Sequence, residues 1–253
     1  MDGIRNFQNH LLGSMPEPDW LLLEPHISFV DLPLKMPLES PNTPIESCFF
    51  PSEGIASVVS TGRNGKSIEV GLIGREGVTG SIAILGSTQS PDAIFMQVAG
   101  NGHQISIRHL KEAIRKSPGL SEILTKFIYS FMVQTSQTAL VNGRATIDER
   151  LARWLLMAHD RVSAPNLHIT HEFLSLMLGV RRPSVTDALH LLEGRGLIRS
   201  SRNEVVVRDR SGLEAAADWC YGVAEAEYNR VFGFYASTGT VSALSMLDGK
   251  LGG

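Results

Sequence analysis

The spacing of hydrophobic positions changes character twice along the chain. Residues 11–44 hold no sustained period and contain Pro16, Pro18, Pro25, Pro33, Pro37, Pro41 and Pro44. Proline removes an amide donor and breaks helices, so a short helix followed by extended, irregular chain is expected there. From Ile45 to about Ile107 come short β-rich runs: SCFF, IASVVS, SIEVGLI, AIFMQVA and HQISI. Turn signals separate them at Ser52-Glu53-Gly54, Gly62-Arg63-Asn64-Gly65, Gly74 to Gly80, and Gly100-Asn101-Gly102. Closely spaced strands with glycine turns predict an antiparallel barrel or sandwich.

Beyond Arg108 the period is helical. A short helix is expected over roughly 108–116, closed by Pro118. Leu120, Ile123, Leu124, Phe127, Ile128, Phe131, Thr135 and Thr138 then recur at three- and four-residue spacing. They form one stripe on a helix of about 22 residues, roughly 33 Å long. Such a stripe needs a partner, and a two-fold helix–helix seam is expected in preference to packing on the chain's own barrel. A further helix is expected over 144–163, with Leu151, Trp154, Leu155 and Ala158 inward and Ser163-Ala164-Pro165-Asn166 at its end.

Residues 169–198 carry the most specific pattern. Thr170 is a good N-cap, and Glu172 lies in the first turn, where the helix dipole favours an anion. Phe173, Leu174, Met177 and Leu178 make a core stripe, and Gly179 suits the left-handed residue that ends a helix. A second helix starts near Arg182, with Pro183 tolerated in its first turn. Val185, Ala188, Leu189 and Leu192 face inward, leaving Pro183, Thr186, Asp187 and His190 opposite, with Ser184 on the flank. Two short helices joined by a tight glycine turn are a helix-turn-helix, whose second helix enters the DNA major groove. Leu197-Ile198-Arg199 and Val205-Val206-Val207 read as a hairpin wing, with Arg199, Arg202 and Arg208 placed to meet phosphates.

Charge sharpens this picture. The 253 residues carry 23 cations and 26 anions, so the net charge of −3 names no partner. Residues 144–210, however, hold 11 cations against 8 anions, and all eleven are Arg, whose planar fork suits phosphates and base edges. With 43% hydrophobic residues the chain can bury a sizeable core, which excludes disordered and fibrous classes. Two cysteines exclude a disulfide framework, a four-cysteine zinc site and an all-cysteine iron–sulfur cluster, and they fit a reducing compartment. No apolar run reaches the ~18 residues of a membrane span, and the first 20 residues show no secretory pattern. A cytoplasmic protein without a membrane partner is expected.

The stretch from Thr170 to Ile198 resembles the winged helix of the Crp/Fnr family of bacterial transcription regulators, in its threonine cap, glycine turn, second-helix valine and closing GLI. CFFPSEGIASVV, GKSIEVGLIGREGVTG and the helix over 120–141 are similar to that family's β-roll sensor and dimerisation helix. The resemblance, covering roughly 30–212, implies an α+β fold. Its parts would be an N-terminal antiparallel, jelly-roll-like β-roll sensor (1–118), a long dimerisation helix (119–143), and a C-terminal winged helix-turn-helix (144–212). Outside the resemblance, residues 213–235 read from their own pattern as an amphipathic C-terminal helix, with a tail completing 213–253. The resemblance further implies a homodimer on a two-fold double-stranded DNA operator, with RNA polymerase as a partner. Base reading would fall on Arg182, Pro183 and Asp187, and phosphate positioning on Thr170, Arg181 and Ser184.

The family's effector pattern is broken. Members that bind cyclic AMP carry a Gly-Glu pair opening a short helix and an Arg-Ser before a strand. Here GREGVTGSIAIL leaves Gly74, Glu76, Gly77 and Gly80 as the candidate pocket, and Ser90-Pro91-Asp92 holds no Arg. Cyclic AMP is therefore not expected as effector, and another small effector stays unidentified. His103 and His109 are weak candidates for haem, and His168 and His171 for a metal, so no cofactor is expected. Gly62 to Ser67 lacks the first glycine of a phosphate loop, and the Gly74–Gly80 run lacks dinucleotide-binding spacing. No nucleophile–base pair stands out, so an enzyme is not expected. A sensor module whose winged helix contacts protein is the alternative.

Overall fold

The structure, a computed structural model, describes residues 7–163, 166–201 and 203–233. Its fold is α+β. Helices α1 (His10–Ser14) and α2 (Glu17–Leu23) lead into strands β1 (Ile27–Leu32) and β2 (Pro37–Glu39). Asn9 anchors this start. Its side chain caps α1 at Leu12 N and donates to the carbonyls of Pro51 (2.8 Å) and Gly77 (2.9 Å), fully buried.

Strands β3 (Ser47–Thr61), β4 (Ser67–Ile73) and β5 (Ala93–Ser106) complete an antiparallel sheet of order β1-β5-β3-β4, with β2 also on β5. Sequence reading divided β3 at Ser52-Glu53-Gly54 and β5 at Gly100-Asn101-Gly102. The structure instead runs each as one bent strand. The ladder continues through Pro51↔Gly102 and Glu53↔Asn101, with register shifts between Pro51 and Ala56. Bulges bend a strand without ending it, and here close backbone approach needs glycine. A Cβ on Gly100 would lie 2.0 Å from the Glu53 carbonyl oxygen, and one on Gly102 2.4 Å from that of Phe50.

Helix α3 (Ser81–Ile84) follows the β4 loop, and α4 (Ile107–Lys116) follows β5. Helix α5 (Pro118–Arg144) is capped by Ser117, whose hydroxyl accepts from Leu120 N (3.0 Å) and donates to Asp19. Leu120, Leu124, Phe127 and Ile128 are buried in the same core as Phe50, Ile73, Met96 and Ile105 of the roll. Gln134 pairs with the backbone of Leu72 in both directions, at 2.7 and 3.1 Å. The predicted stripe thus closes the chain's own roll and is not free to form a two-fold seam. Periodicity shows that a face is buried, not what buries it. The opposite face stays open: Tyr129, Met132 and Leu140 are 45%, 60% and 46% exposed.

Helix α6 (Ile147–His159) starts after an extended joint at Ala145 and Thr146. The Glu149 carboxylate accepts from the Thr146 amide (2.7 Å) and hydroxyl (2.9 Å), a side-chain cap that starts the helix here and not at 144. Helices α7 (His171–Leu178) and α8 (Arg182–Gly194) and strands β6 (Asn166–Leu167), β7 (Ile198–Ser201) and β8 (Glu204–Val207) complete a winged unit of order β6-β8-β7. The expected single helix over 213–235 is two, α9 (Arg210–Ala217) and α10 (Val223–Phe232). A 3-10 turn over Asp218–Cys220 parts them, with Asp218 (φ 49°) and Gly222 (φ 107°) in left-handed backbone. α9 packs on α6, whereas α10 turns back onto α5. Residues 234 and 235 lie outside the described residues.

Truncating Phe127 removes a ring that is 2% exposed. Phe127→Ala should lower unfolding free energy by about 3–5 kcal/mol in denaturant titration, with light scattering showing the same mass as wild type.

Candidate nucleic-acid interface and its junction with the roll

The helix-turn-helix is fixed by local chemistry at each end. Thr170 Oγ1 accepts from Phe173 N at 3.1 Å. Gly179 takes φ 62°, with Gly179 N bonded to Leu176 O and Val180 N to Ser175 O, a double closure of the helix end. Arg181 is the N-cap of α8, and Pro183 lies in its first turn, where its missing amide costs nothing. Val185, Ala188, Leu189 and Leu192 are buried with Leu174 and Met177 of α7.

That packing turns one face of α8 outward. Arg181, Arg182, Pro183, Asp187 and His190 are exposed, and Ser184 and Thr186 are half-buried on its flank. Thr170 is exposed at the start of α7. The Thr186 hydroxyl donates to the Arg182 carbonyl (3.2 Å) and lies 3.1 Å from His171 Nδ1. His171 therefore supports the outward face of α8 through Thr186, a contact the sequence did not reveal. Burial, then Arg182 and His190, hold its imidazole below the usual range. In the wing Arg199 and Arg208 are exposed, while Arg202 lies outside the described residues.

The candidate effector residues sit in the loop between β4 and α3. Glu76 Oε1 lies 2.7 Å from Arg161 Nε, each side chain 8% exposed, and also accepts from Gly74 N (3.2 Å). A Cβ on Gly77 would strike the Phe127 ring at 2.4 Å, and one on Gly80 the Cys48 sulfur at 2.2 Å. The Gly80 amide donates to the buried Glu39 carboxylate at 2.7 Å. Burial raises the Glu39 carboxyl above its ordinary range, against the pull of that amide, and Asp92 adds to the rise. Glu39 was not legible in the sequence, where Pro37-Leu38-Glu39 reads as irregular chain.

A second buried carboxylate joins the roll to α6 and the winged unit. Glu69 of β4 accepts from Trp154 Nε1 of α6 (2.7 Å) and from the Ser57 hydroxyl. Ser57 Oγ is also 3.4 Å from Met177 Sδ in α7. Burial pushes the Glu69 carboxyl up to about 7, although the Ser57 and Trp154 hydrogen bonds and the nearby Arg153 and Arg161 act in the other direction. Arg153, also buried, donates to Thr138 Oγ1 at 3.2 Å. The register shift between Val58 and Val59 skips Val70 and puts Glu69 on the face of Ser57 and Leu72, so strict alternation along β4 does not reveal it.

His103 and His109, weighed as haem ligands, find other partners. His109 stacks on His26 and bonds Ser106, and His103 packs edge-on to Phe7 and Phe29. Among the described residues no three His, Cys, Asp or Glu are grouped to hold a metal, and no helix is long and apolar enough to cross a membrane.

The architecture is an antiparallel roll, a long helix that closes it, and a winged helix-turn-helix with arginines on its outer face. Residues 149–216 match the sequence model of the Crp-like helix-turn-helix domain. The Global nitrogen regulator of Nostoc sp. is 22% identical over 177 residues, 66% of this chain and 79% of that protein. FixK2 from Bradyrhizobium japonicum superposes with a TM-score of 0.65 at 17% identity, over 76% of this chain and 98% of its own. A transcriptional regulator of the crp/fnr family from Eubacterium rectale gives 0.64 at 17%, over 82% and 97%. The chain carries a Crp-like helix-turn-helix domain on the Crp/Fnr fold, as its sequence resemblance implied.

Glu69 gives stability a definite pH dependence. Its carboxyl lies above its ordinary 4.5, so folding favours the protonated form. That contribution is complete below pH 4.5 and is lost as pH rises through about 7. Wild type should therefore lose melting temperature between about pH 5 and pH 8 relative to Glu69→Gln, an isostere that carries no charge. Parallel melting curves for the two proteins across that range would count against the assignment.

Proposed function

We propose that the protein is a non-enzymatic, sequence-specific transcription regulator that binds a two-fold DNA operator as a homodimer in the cytoplasm. The observation that carries this reading is the outward face of α8. Arg181, Arg182, Pro183, Asp187 and His190 stand clear of the core, with Arg199 and Arg208 on the adjacent wing. Arg182 presents the fork that fits guanine O6 and N7. Pro183 has no group that accepts from cytosine, and Asp187 accepts but does not donate. Thr170, Arg181, Ser184 and Arg199 position the phosphates. RNA polymerase is the partner that the resemblance supplies.

The dimer forms through the open face of α5. Thr125, Tyr129, Met132, Ser136, Ala139 and Gly143 recur at alternating four- and three-residue steps on that face, the spacing of a helix–helix seam. Small side chains toward the C-terminal end allow close approach of the two helices. Regulation proceeds without cyclic AMP. The amide at the start of α3, which would meet a phosphate, is held by the chain's own Glu39, and Asp92 adds negative charge beside it. Glu76 is occupied by Arg161.

Selection of sites from random DNA should yield a two-fold sequence. Arg182→Ala should cost about 1–3 kcal/mol and relax one position per half-site, whereas Arg199→Ala should weaken all sequences alike and lower the salt slope by about one. Retention of no DNA at low salt would favour a protein-binding winged helix instead. Met132→Asp should give monomer by light scattering and weaken operator binding, because an unpaired charge is costly in a closed seam. A wild-type monomer at micromolar concentration would remove the seam.

A further inference from the structure

Helix α10 lies beyond the matched winged-helix domain, which ends at residue 216, yet it packs on α5 and bonds the loop after β4. Its Tyr228 hydroxyl donates to the Glu76 carbonyl at 2.7 Å, buried in the loop that follows β4. Its Glu227 accepts from Tyr129 of α5 at 2.6 Å and is held from behind by Arg230. At its base, the Tyr221 hydroxyl donates to Asp160 (2.7 Å) and accepts from Arg210 (2.8 Å), which fastens the segment to the end of α6.

The reader reaches the same loop by its own route. Arg161, two residues past α6, pairs with the Glu76 carboxylate and donates to the Met157 carbonyl, both at 2.7 Å. Arg75 Nε reaches back to the Arg161 carbonyl at 3.4 Å. Where loop, reader, α5 and α10 meet there is a cavity of about 40 Å³, lined among others by Glu76, Phe127, Gln134, Arg161, Glu225 and Tyr228. That volume suits a few water molecules and no organic effector. Glu76 Oε2, buried beside it with no protein partner among the described residues, is a natural site for one of those waters.

We propose that α10 is an intramolecular strap. It holds the loop over 74–80 and the reader in one fixed relation, the task an effector performs in a ligand-gated regulator, so that DNA binding is constitutive. This rests on the regulator reading above. Two domains joined by a short extended link move relative to each other unless their interface is held. A tethered segment meets its site at high effective concentration, so this strap needs no free ligand. The strapped arrangement leaves Arg182, Asp187 and His190 exposed, so it holds the reader open to DNA.

The test compares wild type with a chain ending at Tyr221 and with Tyr228→Phe, which removes one hydroxyl and little volume. Operator affinity is measured by fluorescence anisotropy on the selected site, and amide hydrogen exchange is followed in the loop over 74–80 and in α7 and α8. Truncation should speed exchange in that loop and weaken binding about three- to tenfold, the loss expected when the competent fraction falls to roughly 0.1–0.3. Tyr228→Phe should move both readouts the same way by less. Unchanged exchange and affinity in both variants would overturn the strap, and tighter binding would show α10 to be inhibitory, which also overturns it. Failure of wild type to bind any DNA would sink the regulator reading, and the exchange data would then decide the strap alone.

Discussion

The roll cannot bury its own interior, and that constraint organises the molecule. Its strands bend around an apolar core that α5 must close with Leu120, Leu124, Phe127 and Ile128. Once that face is committed inward, Met132 and Leu140 on the outer side of the same helix are left exposed. The 27 residues of α5 run roughly 40 Å at 1.5 Å each, so the helix also carries the reader beyond the roll. One element therefore serves both as lid of the core and as the link to the winged unit.

The contact between roll and reader is unusually polar for a buried surface. Ile55, Val59 and Leu72 share an apolar core with α6 and the winged unit, but Glu69, Arg153, Glu76 and Arg161 are buried along the same boundary. Isolated buried charge is costly, and even paired charge adds little net stability. Such groups do discriminate between arrangements, because each bond is satisfied in only one relative placement. Trp154 meets Glu69, and Arg161 meets Glu76, only with the reader seated as it is here. The apolar contacts supply adhesion, and the polar ones set the angle.

What the sequence revealed follows from how local each signal is. The helix-turn-helix was legible because Thr170, Gly179 and Pro183 act within a few residues of themselves. The wing was legible because its strands are short and its turn polar. The roll was legible as a class but not in strand count. A glycine that ends a hairpin and one that permits a bend look alike in sequence, and Gly100 and Gly102 do the second. The α5 stripe was seen but assigned to the wrong partner, since one apolar period serves a roll and a mate equally. Glu39, Glu69 and Arg161 draw their partners from 41, 85 and 85 residues away, a distance at which spacing carries no information. The break between α9 and α10 left one mark, Gly222, within a run that otherwise reads as helix.

The Glu39 carboxylate beneath Gly80 has a consequence for how this roll could change its chemistry. A binding site for an anionic signal is ordinarily imagined as something gained by adding a cation. Here the anion's place is already taken from within, so an arginine introduced near Asp92 would find Glu39 first and form an internal pair. Recovering a phosphate site would require removing a negative charge before adding a positive one. Each step alone leaves a buried group worse satisfied, so the two substitutions would have to be made together.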